Sequence, residues 1–575
     1  MNTRLLPIAL SVGITMLCAC VAPTENPPPP SGQTSIYTSA PAPSVERDAA
    51  EAANQPAAEA PGPLFSLHSM PQQSSFGLSK SAGMASPAQR NYRAASEPTD
   101  RENYAHFDDN PVHRTAEDPV STFSIDVDTG SYANLRRMIN AGRLPPEDAV
   151  RVEELINYFG YHYPAPTDSD IPFTVDAELA PSPWNPETRL LRLGLQGYRV
   201  PQNQLPAANL VFLVDVSGSM QAADKLELLK KSLSLLVDRM DAEDRISLVV
   251  YAGASGVVLE PTAGDRKAAI LNALEGLSAG GSTNGGAGIR LAYRMAEQGF
   301  IKDGINRVLL ATDGDFNVGT VNFEALKDLV EEKRKTGIAL TTLGFGSGNY
   351  NDRLMEQLAD AGNGNYAYID TLNEARKALV EEMSSTLLTI AKDVKIQVEF
   401  NPAVVAEYRL IGYENRKLRR EDFNNDKVDA GEIGAGHNVT AIYEIALAGS
   451  AGSLIDPLRY GTQAHVSADN KGGELGLLRL RYKQPDSDTS RLLEIPLRTA
   501  ELFRELPESS DDFRFAAAVA GFGQMLRGGK YQHDFDYAKL LELARGARGD
   551  DPFGYRGEFL QLVSLAQALS SQAQR

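Results

Sequence analysis

Residues Asn209 to Met220 read N-L-V-F-L-V-D-V-S-G-S-M. The apolar run Leu210 to Val214 stops at Asp215, and two hydroxyls, Ser217 and Ser219, bracket Gly218. An apolar run of this length, closed by turn residues, predicts a strand buried on both faces. Its polar residues then fall in the loop at the carboxyl end, where open α/β sheets place their ligands. One carboxylate and two hydroxyls spaced two apart offer hard oxygen donors. That chemistry favours Mg²⁺ or Mn²⁺ over zinc.

Two other loops extend the set. Gly280-Gly281-Ser282-Thr283-Asn284-Gly285-Gly286 supplies a hydroxyl on a flexible backbone ahead of a helical pattern. Val308-Leu309-Leu310-Ala311-Thr312-Asp313-Gly314 repeats the design of a buried strand ending in a carboxylate. With these three loops the chain resembles the von Willebrand factor A domain. The metal-ion-dependent adhesion site of that family uses Asp-x-Ser-x-Ser, a later Thr and a later Asp. The positions map onto Asp215, Ser217, Ser219, Thr283 and Asp313. The resemblance implies a bound Mg²⁺, or else Mn²⁺ or Ca²⁺. It also implies a protein partner whose Glu or Asp fills the open coordination position.

Around this core, helical and strand patterns alternate. Lys225 to Met240 is amphipathic, with Leu226, Leu229, Leu233, Leu236 and Val237 on one side. Further helices are expected over Arg266 to Leu277, Gly288 to Gln298, Phe323 to Lys335, Asp352 to Ala361 and Glu374 to Leu388. Strands fall between them, so residues 207–388 predict a doubly wound, mostly parallel α/β sheet covered on both faces. Before it, 118–200 reads as an α+β segment. After it, 392–500 is a β-rich module and 508–572 a helical segment whose apolar faces need a partner. Two short strand groups flank the α/β part, each too small to hold a core alone. We therefore expect them to pair into one sandwich, with the α/β part as an insertion.

Several polar features invite a second site. Asp126 and Asp128 precede a helical pattern from Tyr132 to Asn140, and Asp128 or Ser131 is expected to cap that helix. Glu421 to Glu432 is acidic, but Lys427 stands where a calcium loop needs Gly, so a polar surface loop is expected. Trp184, the only Trp, sits among Pro181, Pro183 and Pro186 and reads as a buried structural residue in a turn.

At 575 residues the chain is too long for one ordinary core. A net charge of -19 argues against a nucleic-acid partner, because phosphate contacts need a basic surface. The 2 Cys are Cys18 and Cys20, so no disulfide or thiolate metal site is expected in the folded body. The stretch 1–20 has a short basic start, an apolar run from Leu5 to Leu17 and the ending Leu17-Cys18-Ala19-Cys20. It looks like a bacterial lipoprotein signal peptide with Cys20 as the lipid acceptor. Val21, not Asp, follows the Cys, which implies the outer membrane of a bacterial cell envelope. Residues 21–104 are rich in Pro, Ala and Ser without apolar periodicity and are expected to be a disordered tether.

Beyond the α/β part, the segments Ser124 to Pro164 and Arg409 to Leu447, with the run Val428-Asp-Ala-Gly-Glu-Ile-Gly-Ala-Gly-His437, are similar to the YfbK-like family of A-domain lipoproteins. The expected function is metal-dependent protein binding in adhesion or envelope assembly. The alternatives are a structural scaffold with a vestigial metal site and a Mg²⁺-dependent hydrolase. Against the hydrolase, the chain has no G-x-S-x-G elbow, no P-loop and no His near the metal loops, so no catalytic residue is assigned.

Overall fold

The computed structural model describes residues 102–168, 170–201, 204–282, 285–314, 323–456, 458–459 and 473–573. The leader with Cys20, the tether as far as residue 101, and Thr283 lie outside the described residues. Glu102 to Tyr104, expected at the end of the tether, instead lie on the folded body. Arg137 donates to Glu102 at 2.9 Å, and the Asn103 amide donates to the Tyr350 carbonyl at 3.0 Å. Paired backbone and a buried carboxylate hold this segment in place although it has no apolar periodicity to announce it.

In chain order the strands are β1 (His113–Arg114), β2 (Val120–Ser124), β3 (Phe173–Pro181), β4 (Arg189–Gly197), β5 (Ala208–Asp215), β6 (Arg245–Tyr251), β7 (Ser255–Ala263), β8 (Ile305–Thr312), β9 (Ala339–Phe345), β10 (Tyr366–Ile369), β11 (Thr389–Phe400), β12 (Val405–Ile411), β13 (Ile433–Gly434), β14 (Asn438–Leu447), β15 (Glu474–Lys483) and β16 (Ser490–Arg498). One sheet runs β1-β12-β14-β4-β3, a second β10-β9-β8-β5-β6-β7, and a third β13-β11-β15-β16 with β2 on β11.

The flanking strands meet as expected. β4 pairs antiparallel with β14, Leu195 opposite Val439 and Leu191 opposite Tyr443. β2 pairs antiparallel with β11. The two flanking sheets share one core. Leu191, Leu193 and Leu195 of β4 and Val439, Ala441 and Tyr443 of β14 pack with Val394, Ile396 and Val398 of β11. Residues two apart share a face of a strand, so this alternation builds a sandwich. Everything from β5 to β10 is inserted between the two halves of that sandwich.

The sheet containing β4 is covered on its other face too. Leu190, Ile411 and Ile442 pack against the helices Asp511–Leu526, Tyr537–Gly546 and Tyr555–Ala573. That burial explains why polar residues of β4 need partners. Arg192 is buried, with its guanidinium 4.7 Å from the Tyr163 ring centre and ion-paired to Asp176 and Glu178. Trp184 is buried in its turn and donates its indole N–H to Glu444 at 3.0 Å. In the acidic loop, Asp426 accepts the Ser490 hydroxyl at 2.5 Å, closing it onto β16.

Within the insertion, β5, β6, β8, β9 and β10 are parallel and β7 is antiparallel to β6. Leu210, Phe212 and Val214 face the helix Leu228–Val237; Val211 and Leu213 face the helix Gly285–Gln298. Each side chain so buried contributes roughly 1.5–3 kcal/mol. After Pro146 a 3-10 turn, Glu147–Ala149, is followed by the separate helix Val152–Asn157. The Arg151 amide at the break donates to the Ser131 hydroxyl instead of closing a helical turn.

The capping role expected for Asp128 or Ser131 is not found. The residue before the helix Gly130–Asn140 is Thr129, whose side chain makes no capping bond. The Ser131 amide is satisfied from elsewhere, by Glu154 at 2.7 Å, and the Ser131 hydroxyl donates to the Ala149 carbonyl. Asp128 instead accepts the Tyr366 amide of β10 at 2.8 Å and lies 3.4 Å from Arg416. A distant strand and a distant arginine have taken a carboxylate that local sequence assigns to the helix end.

Candidate metal centre

Asp215 ends β5, and its two neighbouring strands end beside it. Strand order turns at β5, because β6 lies on one side and β8 on the other. That is where an open α/β sheet leaves a crevice at its carboxyl edge. Asp215 is fully buried. One carboxylate oxygen accepts the Ser217 amide at 2.8 Å; the other accepts the Thr312 hydroxyl at 2.9 Å and the Tyr251 hydroxyl at 3.2 Å. Burial pushes its pKa up to about 6, against the lowering effect of the Ser217 bonds. Burial also pushes the Tyr251 phenol up, so it stays a donor to Asp215.

The Ser217 and Ser219 hydroxyl oxygens lie 3.0 Å apart. Backbone bonds dock the glycine loop on this turn: the Gly218 amide donates to the Gly281 carbonyl at 3.0 Å, and Gly280 donates to Val216 at 2.8 Å. That brings the loop carrying Thr283 to the Ser217 turn as far as Ser282, the last described residue before it. Asp313 is fully buried at the end of β8. It accepts the Lys225 ammonium at 2.8 Å and the Asn349 side-chain amide at 3.2 Å. Gly314 follows with φ +85°, and a Cβ there would overlap the Asn351 amide, so the turn after Asp313 requires glycine.

Four residues of the cluster, Thr312, Tyr251, Asn349 and Lys225, carry no sign of the site in the sequence. Thr312 and Tyr251 end their strands one residue too early to read as polar loop residues. Asn349 lies far along the chain. In the sequence Lys225 reads as the first residue of an amphipathic helix. The regular helix begins only at Leu228, after a kink at Lys225 that aims the side chain back at the sheet edge. Only the fold distinguishes such a lysine from a solvated helix residue.

The oxygen donors suit a hard divalent cation, with carboxylates on two strands and a pair of hydroxyls, while the Lys225 ammonium already on Asp313 stands against it. Among the described residues, no three His, Cys, Asp or Glu side chains gather in a way that could hold a metal. A site here therefore depends on hydroxyl oxygens as well as carboxylates.

The chain matches the family described as von Willebrand factor type A domain over residues 209–382. It matches the von Willebrand factor family over 98–192 and "Uncharacterized protein YfbK, C-terminal" over 385–569. It is 49% identical over 477 residues to "Uncharacterized protein YfbK" of Escherichia coli (strain K12), covering 82% of each chain. The chain belongs to the YfbK family. A second relative, "Uncharacterized protein sll0103" of Synechocystis, is 28% identical over 313 residues, covering 54% of this chain and 69% of that one. Among solved structures, the chain is similar to a von Willebrand factor type A protein from Catenulispora acidiphila, with TM-score 0.36 and 15% identity over 65% of this chain and 87% of that one. The A domain carried by this YfbK-family chain is of a kind that generally mediates protein–protein interactions, often with a divalent metal.

Proposed function

We propose that this chain is a membrane-anchored lipoprotein that binds a protein partner through a divalent cation, Mg²⁺ or else Mn²⁺ or Ca²⁺. Asp215, Ser217, Ser219, Thr283 and Asp313 hold the ion. When bound, the cation supplies positive charge and an open position for a partner's Glu or Asp. The residues of this chain orient the site: Thr312 and Tyr251 fix Asp215, and the Ser217 amide sets the angle of its carboxylate. The observation that carries the reading is the meeting of Asp215, the Ser217–Ser219 hydroxyl pair and Asp313 at one strand edge. Few carboxylates around a divalent ion leave net positive charge, which attracts an acidic side chain.

In this reading the protein is a binding protein rather than an enzyme. Cys20 carries the acyl chains, the leader is removed, and the tether holds the body off the outer membrane. Replacing Cys20 by Ser should release the protein from the membrane fraction; membrane retention of that variant would remove the anchor from the proposal.

A second reading, a scaffold whose metal site is vestigial, is favoured by the Lys225–Asp313 pair, since an ammonium can satisfy that carboxylate without a metal. Crosslinking in cells with Mg²⁺ or with chelator decides between them. Metal-dependent capture of one partner, lost in Asp215→Ala, supports the adhesion reading. Capture that is equal in excess chelator supports the scaffold.

A further inference from the structure

Lys225 is seated in a slot built for its side chain. It lies at a backbone kink with φ -119° and ψ -107° inside the segment Ala223–Glu227. Its stem runs across Gly346, where φ is +75° and a Cβ would overlap the lysine Cγ, Cδ and Cε. The Gly346 carbonyl is held by the Tyr368 hydroxyl, so this wall of the slot is anchored to β10. The ammonium donates to Asp313 at 2.8 Å and to the Asn349 side-chain oxygen at 2.9 Å, and Asn349 in turn donates to Asp313. The side chain is buried, and a buried ammonium persists only when paired in this way.

We propose that Lys225 is an internal competitor for the divalent cation at this centre. It neutralises Asp313 when no ion is bound, and its charge opposes ion entry. Lysine suits this role, because it is a compact charge on a flexible stem that can withdraw, whereas an arginine fork would lock the carboxylate. The inference rests on the metal reading above. Lys225 is a positioning residue that sets the affinity for the ion, so that loading occurs only at high metal or with an acidic partner present to share the ion.

Calorimetric titration of the full chain with Mn²⁺, and with Mg²⁺ in competition, tests this. Lys225→Met is expected to tighten Mn²⁺ binding by about tenfold or more, because one repelling charge has gone. Lys225→Gln, which keeps a donor for Asp313 without the charge, should do the same and serves if the Met variant fails to fold. In thermal melts the metal-free variants should unfold at lower temperature than the metal-free parent, and Mn²⁺ should close the gap. Unchanged or weaker Mn²⁺ binding in a folded variant overturns the proposal. If parent and Lys225→Gln alike bind no Mn²⁺ at millimolar concentration, the metal reading has failed and this inference falls with it.

Discussion

Two regions of this molecule bury carboxylates, and they treat them differently. Where the insertion meets the flanking elements, arginines hold the acids. Arg136 reaches Asp370 and Glu374, Arg151 reaches Asp352 and Glu356, and Arg416 reaches Asp126 and Glu356. Burial still pushes the Glu356 carboxyl up, opposed by Arg151 and Arg416. At the ends of β5 and β8 the buried acids are Asp215 and Asp313. Those acids are held by hydroxyls, amides and one lysine. Guanidinium forks are permanent and directional, so the seam reads as a fixed joint. Hydroxyls and a lysine can exchange partners, so the strand edge is suited to accept an ion.

The contrast can be broken most severely at the seam. Arg151→Met should destabilise the protein by about 3–5 kcal/mol, because it leaves Glu154 and Asp352 buried without their counter-charge. Denaturant unfolding measures this, and a loss below 1 kcal/mol would mean the seam is not a structural clamp. At the strand edge the expected signature is different. Asp215→Ala should leave the protein folded but abolish stabilisation by Mg²⁺, which at a hundredfold excess over Kd is about 2.7 kcal/mol. Melting curves with Mg²⁺ and with chelator read it directly; an undiminished Mg²⁺ shift would transfer the ion to another site.

A weaker point lies at the entry to β14 in the sandwich. His437 precedes β14, its buried Nδ1 makes no hydrogen bond among the described residues, and burial lowers its pKa from 6.5 to about 4. The folded state disfavours the proton that the unfolded chain takes up first. Stability is therefore full above pH 6.5 and falls as pH drops toward about 4, by roughly 1–3 kcal/mol. Comparing the pH dependence of the parent with His437→Gln isolates the effect, and parallel curves would show that His437 contributes nothing. The smallest effect belongs to the solvent-exposed pair Arg498–Glu501, whose removal by Arg498→Ala should change stability by about 0.5 kcal/mol or less. A larger change there would show that surface pairs matter as much as the seam.

The parts of this protein that a reader of sequence can recover are those encoded by neighbours. Leu210 to Val214 is apolar without a break because both faces of β5 are covered, and Asp215 follows because a strand must end in something that turns. The Asp-x-Ser-x-Ser spacing sets Ser217 and Ser219 together, since two residues in one tight turn cannot move far apart. Alternation in Leu191, Leu193, Leu195 and in Val394, Ile396, Val398 marks the two inner faces of the sandwich. Tertiary structure alone decided the partners of charge. Asp128 carries no local sign that it will meet Arg416 and Tyr366, and Lys225 looks like the start of a solvated helix until Gly346 and Asp313 are brought beside it. Apolar periodicity is repeated along a segment and so survives reading one chain. A charge pair is a single contact between distant residues, and chain closure is what creates it.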